Sequence, residues 1–293
     1  MRLEVDGIPC IAYPRLTGEV EVGDDVIVNE QARLLELGSG GFDVLYANLT
    51  RGLRLPPEER AHVMALPYTP GQVTVCYKEE SDRLADSLDG MPVVLCTVHS
   101  QVAPVCAGLT GARVAYVQVS GGALPVALSD AIRLLRERGL LGVACAVAPC
   151  LDGDAQFVTA AAALAWAKAQ GYDAVVCSVG PGIVGTGSRL GHGALALVDA
   201  ANVAAALGGR PVLAVRTSDA DARERHRGVS HHAQAVLDLA LAEITVPDEG
   251  SGDGWEDACA GLPLSHMGRS PAEEPMFFRA AYAAGAVARA MLG

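Results

Sequence analysis

Continuous apolar runs recur along the last three quarters of the chain, at PVVLCTV (92–98), RVAYVQV (113–119), GVACAVA (142–148), DAVVCSV (173–179), PVLAVRT (211–217) and EITVP (243–247). Their apolar positions do not alternate with polar ones, which predicts strands buried on both faces. Between them lie helical stretches, PVALSDAIRLLRERG (125–139), AQFVTAAAALAWAKAQG (155–171), HGALALVDAANVAAALGG (192–209) and HHAQAVLDLALA (231–242). Three of these end in glycine, as helix C-termini commonly do. Strand and helix in alternation predict an α/β fold, a doubly wound and mostly parallel sheet.

The first quarter has a different pattern. IPCIAYP, EVEVGDDVIVN and GFDVLYANL are short β-rich segments divided by glycine and aspartate turns, with GSGG at 38–41 as a hairpin or bulge turn. PPEERAHVMAL (56–66) is the one segment there with a helical period, and PYTPG (67–71) is a breaker. The expected division is a β-rich barrel or sandwich-like domain over 1–72 and an α/β domain over 73–293. A final helix is expected with Ser270 as its cap, Pro271 in first position and Glu273 completing a capping box. Its Ala/Gly face would pack on the domain or on another subunit, so a homo-oligomer is among the expected partners.

Composition narrows the class. Apolar residues make up 51% and charged residues 19% of 293, enough for a sizeable core and against global disorder. No apolar run approaches the roughly 20 residues of a membrane span, and the start lacks a signal-peptide h-region. The expectation is a cytoplasmic protein without a membrane partner. A net charge of −12 argues against nucleic acid as partner. The eight cysteines include no C-x-x-C and mostly sit in apolar runs, so reduced, buried thiols are expected.

In open parallel sheets ligands bind beyond the carboxyl ends of the strands. Those ends carry His99 and Ser100, then Ser120-Gly121-Gly122, then Asp152 and Asp154 in CLDGD, then GPGIVGTGSRLGHG (180–193), and lastly Arg216. Beyond Arg216 the stretch RERHRGVSHH (223–232) gathers three arginines and three histidines in an otherwise acidic chain. Arg223, Arg225 and Arg227 are candidates for anion binding and His226, His231 and His232 for base or metal ligand, with a solvated charged helix as the bland alternative. SDADARERHR is expected as a short helix capped by Ser218, with an Asp221–Arg225 pair, ending at Gly228. Ser230 is expected to cap the next helix and place His231 and His232 in its first turn.

The glycine loop contains G-x-G-x-x-G at Gly180, Gly182 and Gly185, followed by Thr186 and Gly187. Its amides could cradle an anion, or it could be a plain tight turn. Asp152 and Asp154 could hold a hard cation or simply form a turn. His99 is equally a base, a ligand, or a histidine hydrogen-bonded beneath the loops.

HSQVAP (99–104), SGGALP (120–125), DGDAQFV (152–158), GPGIVGTGSRLG (180–191), RERHRGVSHH and MGRSPAEEPMFF (267–278) together resemble a bacterial family known only as a domain of unknown function, number 3866. The chain departs from that family's pattern at Ser120-Gly121-Gly122, where a TDG-like triplet is usual, and at Gln156-Phe157-Val158, where a Glu-Ala-Val-Asn run is usual. The resemblance implies that the motifs form one site and lends no activity. The residues themselves point to an anionic, phosphorylated small molecule and to metal-assisted hydrolysis or group transfer. The alternatives are an NADP-dependent oxidoreductase, from the glycine fingerprint and Arg216, and a non-enzymatic ligand-binding or scaffold module.

Overall fold

The computed structural model describes residues 1–36, 41–61 and 63–293, and the chain divides into compact units Met1–Tyr77 and Lys78–Gly293. The first unit comprises β1 (Arg2–Val5), β2 (Ile8–Ile11), the single turns α1 (Pro14–Thr17) and α2 (Gln31–Leu34) on either side of β3 (Val26–Asn29), then β4 (Asp43–Asn48), β5 (Val63–Ala65) and β6 (Val73–Val75). Its sheet is mixed, in the order β1-β2-β4-β3, over a small core of Cys10, Ala12 and Leu45. β5 and β6 form a separate antiparallel pair, so the unit is an open sheet plus a hairpin and the first unit runs past residue 72. The described part of 56–66 is irregular chain leading into β5, not a helix. All but Gly41 of the GSGG turn lies outside the described residues, as does His62.

The second unit comprises β7 (Pro92–Cys96), α3 (Val102–Gly108), β8 (Val114–Val119), α4 (Asp130–Glu137), β9 (Val143–Val147), β10 (Ala155–Phe157), α5 (Ala160–Ala169), β11 (Ala174–Val179), α6 (Ala196–Ala206), β12 (Arg210–Ala214), β13 (Thr217–Ser218), β14 (Gly228–Val229), α7 (His231–Leu239), α8 (Trp255–Ala258) and α9 (Pro275–Ala290). Six strands form one parallel sheet in the order β10-β9-β8-β11-β7-β12. Successive residues of each strand point to opposite faces. Val93, Leu95, Val175 and Cys177 meet α5, α6 and α7, while Val94, Cys96, Tyr116 and Val176 meet α3, α4 and α9. This is why the strands read as continuous apolar runs. Burial in these layers pushes the thiols of Cys96, Cys106, Cys145 and Cys177 up.

The order of the strands places the site. The chain leaves β7 through α3 on one face and β11 through α6 on the other, and these two strands are neighbours. Connections diverging to opposite faces open a crevice at the carboxyl edge.

Three elements differ from the sequence reading. Residues 155–157 form edge strand β10, and the helix begins only after Thr159, whose Oγ1 accepts from Ala162 N at 3.2 Å. EITVP contributes a single parallel bridge, Thr245 to Val212. The last helix starts at Pro275, because Glu274, preceding a proline, is kept out of the helical region (φ −136°, ψ 50°). Ser270 and Glu273 instead close a turn ahead of it, Ser270 N donating to Glu273 Oε2 at 2.8 Å. The Ala/Gly face of α9 packs on α3, where a side chain on Gly108 or Gly285 would overlap the other helix's backbone. Among the described residues no helix is long and apolar enough to cross a membrane.

Candidate functional site

Glycines let two loops pass in contact at the carboxyl edge. A Cβ on Gly121 would lie 2.5 Å from Gly193, and one on Gly122 would lie 2.5 Å from Gly180. The loop after β11 folds back as a β-like excursion. Val184 N donates to Gly121 O at 2.9 Å, Gly193 N to Val184 O at 2.8 Å and Thr186 N to Gly191 O at 2.7 Å. Ser188 N is likewise taken by Thr186 Oγ1. Those amides are engaged, Gly185 and Thr186 sit near an exposed tip, and α6 begins only at Ala196. Of the Gly180–Gly187 amides, those of Val184 and Thr186 are therefore already spent on contacts between and within the loops. The loop instead delivers His192, whose bridge to Gly185 fixes its position.

The segment after β12 supplies the rest. β13 and β14 pair Thr217 with Val229 and Ser218 with Gly228, which closes 219–227 into a loop. Ser218 Oγ accepts from Asp221 N at 3.0 Å, the bond expected of a cap, yet the helix beyond it is reduced to one 3₁₀ turn at Glu224–His226. The expected Asp221–Arg225 pair is replaced by a clamp from Arg223, Nε to Oδ1 at 2.9 Å and Nη2 to Oδ2 at 2.8 Å. Ser230 caps α7, its Oγ accepting from His232 N at 3.3 Å, and puts His231 and His232 in the first turn. The helix dipole disfavours imidazolium there.

Four imidazoles meet in this crevice. Ring centroids lie 4.2 Å apart for His192–His232, 4.4 Å for His231–His232, 4.9 Å for His226–His231 and 5.1 Å for His192–His231. His226 Nδ1 lies 2.7 Å from Ser230 Oγ. Both ring nitrogens of His192 and Nε2 of His231 are buried without a partner. Burial, reinforced by the arginines, pushes His226 down to about 3 and His232 to about 2, and lowers His192 and His231 as well. All four are neutral at physiological pH.

Beside them lies a buried charge network. Arg216 is only 2% exposed; its Nη1 donates to His232 Nδ1 at 3.2 Å and its Nη2 is 3.5 Å from Asp221 Oδ2. Asp221 Oδ2 is also 3.7 Å from Arg269 Nη2, and Arg269 Nε donates to Glu274 Oε1 at 2.7 Å. Ser218 Oγ donates to the same Glu274 oxygen at 2.6 Å. Three guanidiniums face two carboxylates, an excess of one positive charge. The Arg223 guanidinium holds the Asp221 carboxyl well below its usual range, while burial and the neighbouring cations bring Arg216 down to about 10. His266 stacks on Phe277 (centroids 3.8 Å apart, planes at 7°) with its Nδ1 2.9 Å from Ser100 Oγ.

The structure brings Arg216, Arg223, His226, His231 and His232 together. Arg225 and Arg227 are exposed on the rim, Arg227 donating from Nε to Asp221 O. His99 is hydrogen-bonded beneath the loops, Nε2 2.7 Å from Ser129 Oγ and Nδ1 3.3 Å from Tyr116 Oη, with burial lowering it to about 4. Asp154 is elsewhere. It accepts from Ala144 N at 2.9 Å and from Arg136 Nη1 at 2.8 Å, level with the first residues of β9. The chain has returned to the amino edge of the sheet by that point, because β10 runs parallel to β9. Asp152 lies within this return in a left-handed conformation (φ 62°). The sequence reading assigned no role to Arg269, Glu274 or His266 and gave Asp221 only a local pair with Arg225; MGRSPAEEP carried Arg269 and Glu274 and was the available signal.

The family described as a protein of unknown function (DUF3866) matches residues 9–253. No curated protein and no solved structure matches the chain.

Proposed function

The chain belongs to the DUF3866 family, whose description assigns no function, and from the site itself we propose that it binds a phosphorylated or otherwise anionic small molecule and acts on it by hydrolysis or group transfer. One observation carries the reading. Arg216 is buried with no partner at Nε, and its carboxylate neighbour is shared with Arg223 and Arg269. A buried cation left partly uncompensated is costly, and an oxyanion accepting from these forks relieves that cost. The neutral imidazoles beside it offer lone pairs that accept hydrogen bonds from a substrate or water.

The nicotinamide-dinucleotide alternative has less support. Its fingerprint glycines serve loop contact, and several amides of that loop are already bonded. The experiment is titration calorimetry with inorganic phosphate on the metal-stripped protein, alongside NADPH. Saturable phosphate binding, weakened at least about tenfold in Arg223→Gln, is expected; that factor corresponds to about 1.4 kcal/mol. Phosphate heats no different from dilution, or binding of NADPH alone, would overturn the reading.

A further inference from the structure

We propose that His192, His231 and His232 together bind one transition-metal ion of the zinc class. The inference deepens the anion-site reading and rests on it for the group that completes the ion's shell. One ligating nitrogen from each residue lies within 4.8 Å of the other two. His192 is 6% exposed, yet neither of its ring nitrogens has a partner, and His231 Nε2 is in the same state. A buried, unpaired polar atom keeps the full desolvation penalty of its group. One such nitrogen on each of two adjoining rings, in a crevice built from two separate loops, is what a cation that takes lone pairs would satisfy; the other nitrogen of His192 carries the ring proton.

The donor set selects the ion. Three neutral imidazoles without thiolate or carboxylate suit zinc, cobalt, nickel or copper, whereas magnesium and calcium require oxygen ligands. Three protein ligands leave the fourth tetrahedral position open. The rings are held from behind: Ser230 caps the helix that bears His231 and His232, and the Gly185 bridge holds His192.

Arg216 qualifies the third ligand. A guanidinium only donates, so the contact at 3.2 Å makes His232 Nδ1 an acceptor and leaves the proton on Nε2. His232 presents Nε2 to a metal once Arg216 turns to an oxyanion and Nδ1 takes the proton. An anion also offsets the repulsion between the ion and the guanidiniums. The site is thus built for a metal ion and an oxyanion together.

The test is titration of the metal-stripped protein with cobalt(II) in phosphate buffer, read by visible absorption. One equivalent is expected, with the intense bands of a tetrahedral ion. Loss of an outer-shell partner weakens metal sites about 10–100-fold, so His192→Ala and His231→Ala, each losing a ligand, are expected to weaken cobalt by about 100-fold or more. His99→Gln, whose ring lies outside the cluster against Ser129 and Tyr116, should keep the bands. Should the alanine variants unfold, the paramagnetically shifted NMR spectrum of the unsubstituted cobalt protein stands in, and three imidazoles are expected there. Cobalt bound equally well by His192→Ala, fewer than three imidazole ligands, or no stoichiometric binding would overturn the proposal. Cobalt binding as expected in a protein whose metal-free form shows no calorimetric phosphate binding would sink the anion reading and leave the metal site standing.

Discussion

Arg216 and His232 constrain each other. Nη1 of the arginine donates to Nδ1 of the histidine at 3.2 Å, inside a network where both side chains are buried. In the proposed site the arginine's turn to an anion and the histidine's tautomer are therefore one equilibrium. Coupling of this kind is reciprocal. Phosphate should tighten cobalt(II) binding by a factor in the usual range of about 5–150, and cobalt should tighten phosphate binding by the same factor. Arg216→Met should abolish the dependence. Cobalt affinity unmoved by phosphate in the unsubstituted protein would show that the contact transmits nothing.

Asp221 accepts from Arg216 and Arg223 and lies 3.7 Å from the guanidinium of Arg269. Asp221→Ala leaves those cations facing one another, and removing one partner of a buried pair costs about 3–5 kcal/mol. A lowered melting temperature is expected, partly restored by millimolar phosphate or sulfate, because an anion takes the carboxylate's place. Melting that is unchanged, or insensitive to anions, would mean the guanidiniums are better solvated than their burial implies.

Acid should destabilise the fold early. His99, His226, His232 and His266 are held at about 4, 3, 2 and 3, against an ordinary value of 6.5. The unfolded chain binds protons the folded one refuses, so stability is full above about pH 6.5 and falls progressively toward pH 4. His99→Gln removes one share of that loss, about 1–2 kcal/mol at pH 5 relative to pH 7.5. Urea midpoints at the two pH values check it; parallel losses in the variant and the parent would show that His99 does not contribute.

A Cβ at residue 193 would overlap Gly121. Gly193→Val must push the two loops apart and displace His192. Overpacking of this kind costs about 1–3 kcal/mol, and cobalt binding should be lost while the sheet, judged by far-ultraviolet circular dichroism, persists. Retained cobalt binding would mean the loops yield without moving the imidazole.

The layered sheet was legible in the sequence because its signal is local. Runs such as DAVVCSV have no polar face, and β11 occupies nearly the same residues. The Ser230 cap and the placement of His231 and His232 were legible for the same reason. The partners of those histidines were not. Asp221 is drawn to Arg223, Arg216 and Arg269 and not to its helical neighbour Arg225, because the β13–β14 pairing cancels the helix, and two-residue strands leave little periodic trace. Asp154 misled because the sequence shows that it follows a strand but not that the chain doubles back to start β10 at the opposite edge. The glycine loop has a phosphate-binding spelling, yet its glycines answer to Gly121 and Gly122, about sixty residues upstream.

The position of β11 between β8 and β7 bears on how the chain comes to be folded. Val175 pairs with Val93 on one side and Ala115 on the other. A growing chain emerging from the ribosome presents β7 and β8 long before the strand that must separate them. The α3 connection is long enough for those two strands to pair directly as neighbours. Residues 174–179 thus enter between two strands made earlier, and until some sixty further residues are made the edges of β7 and β8 that β11 will cover lack their native partner.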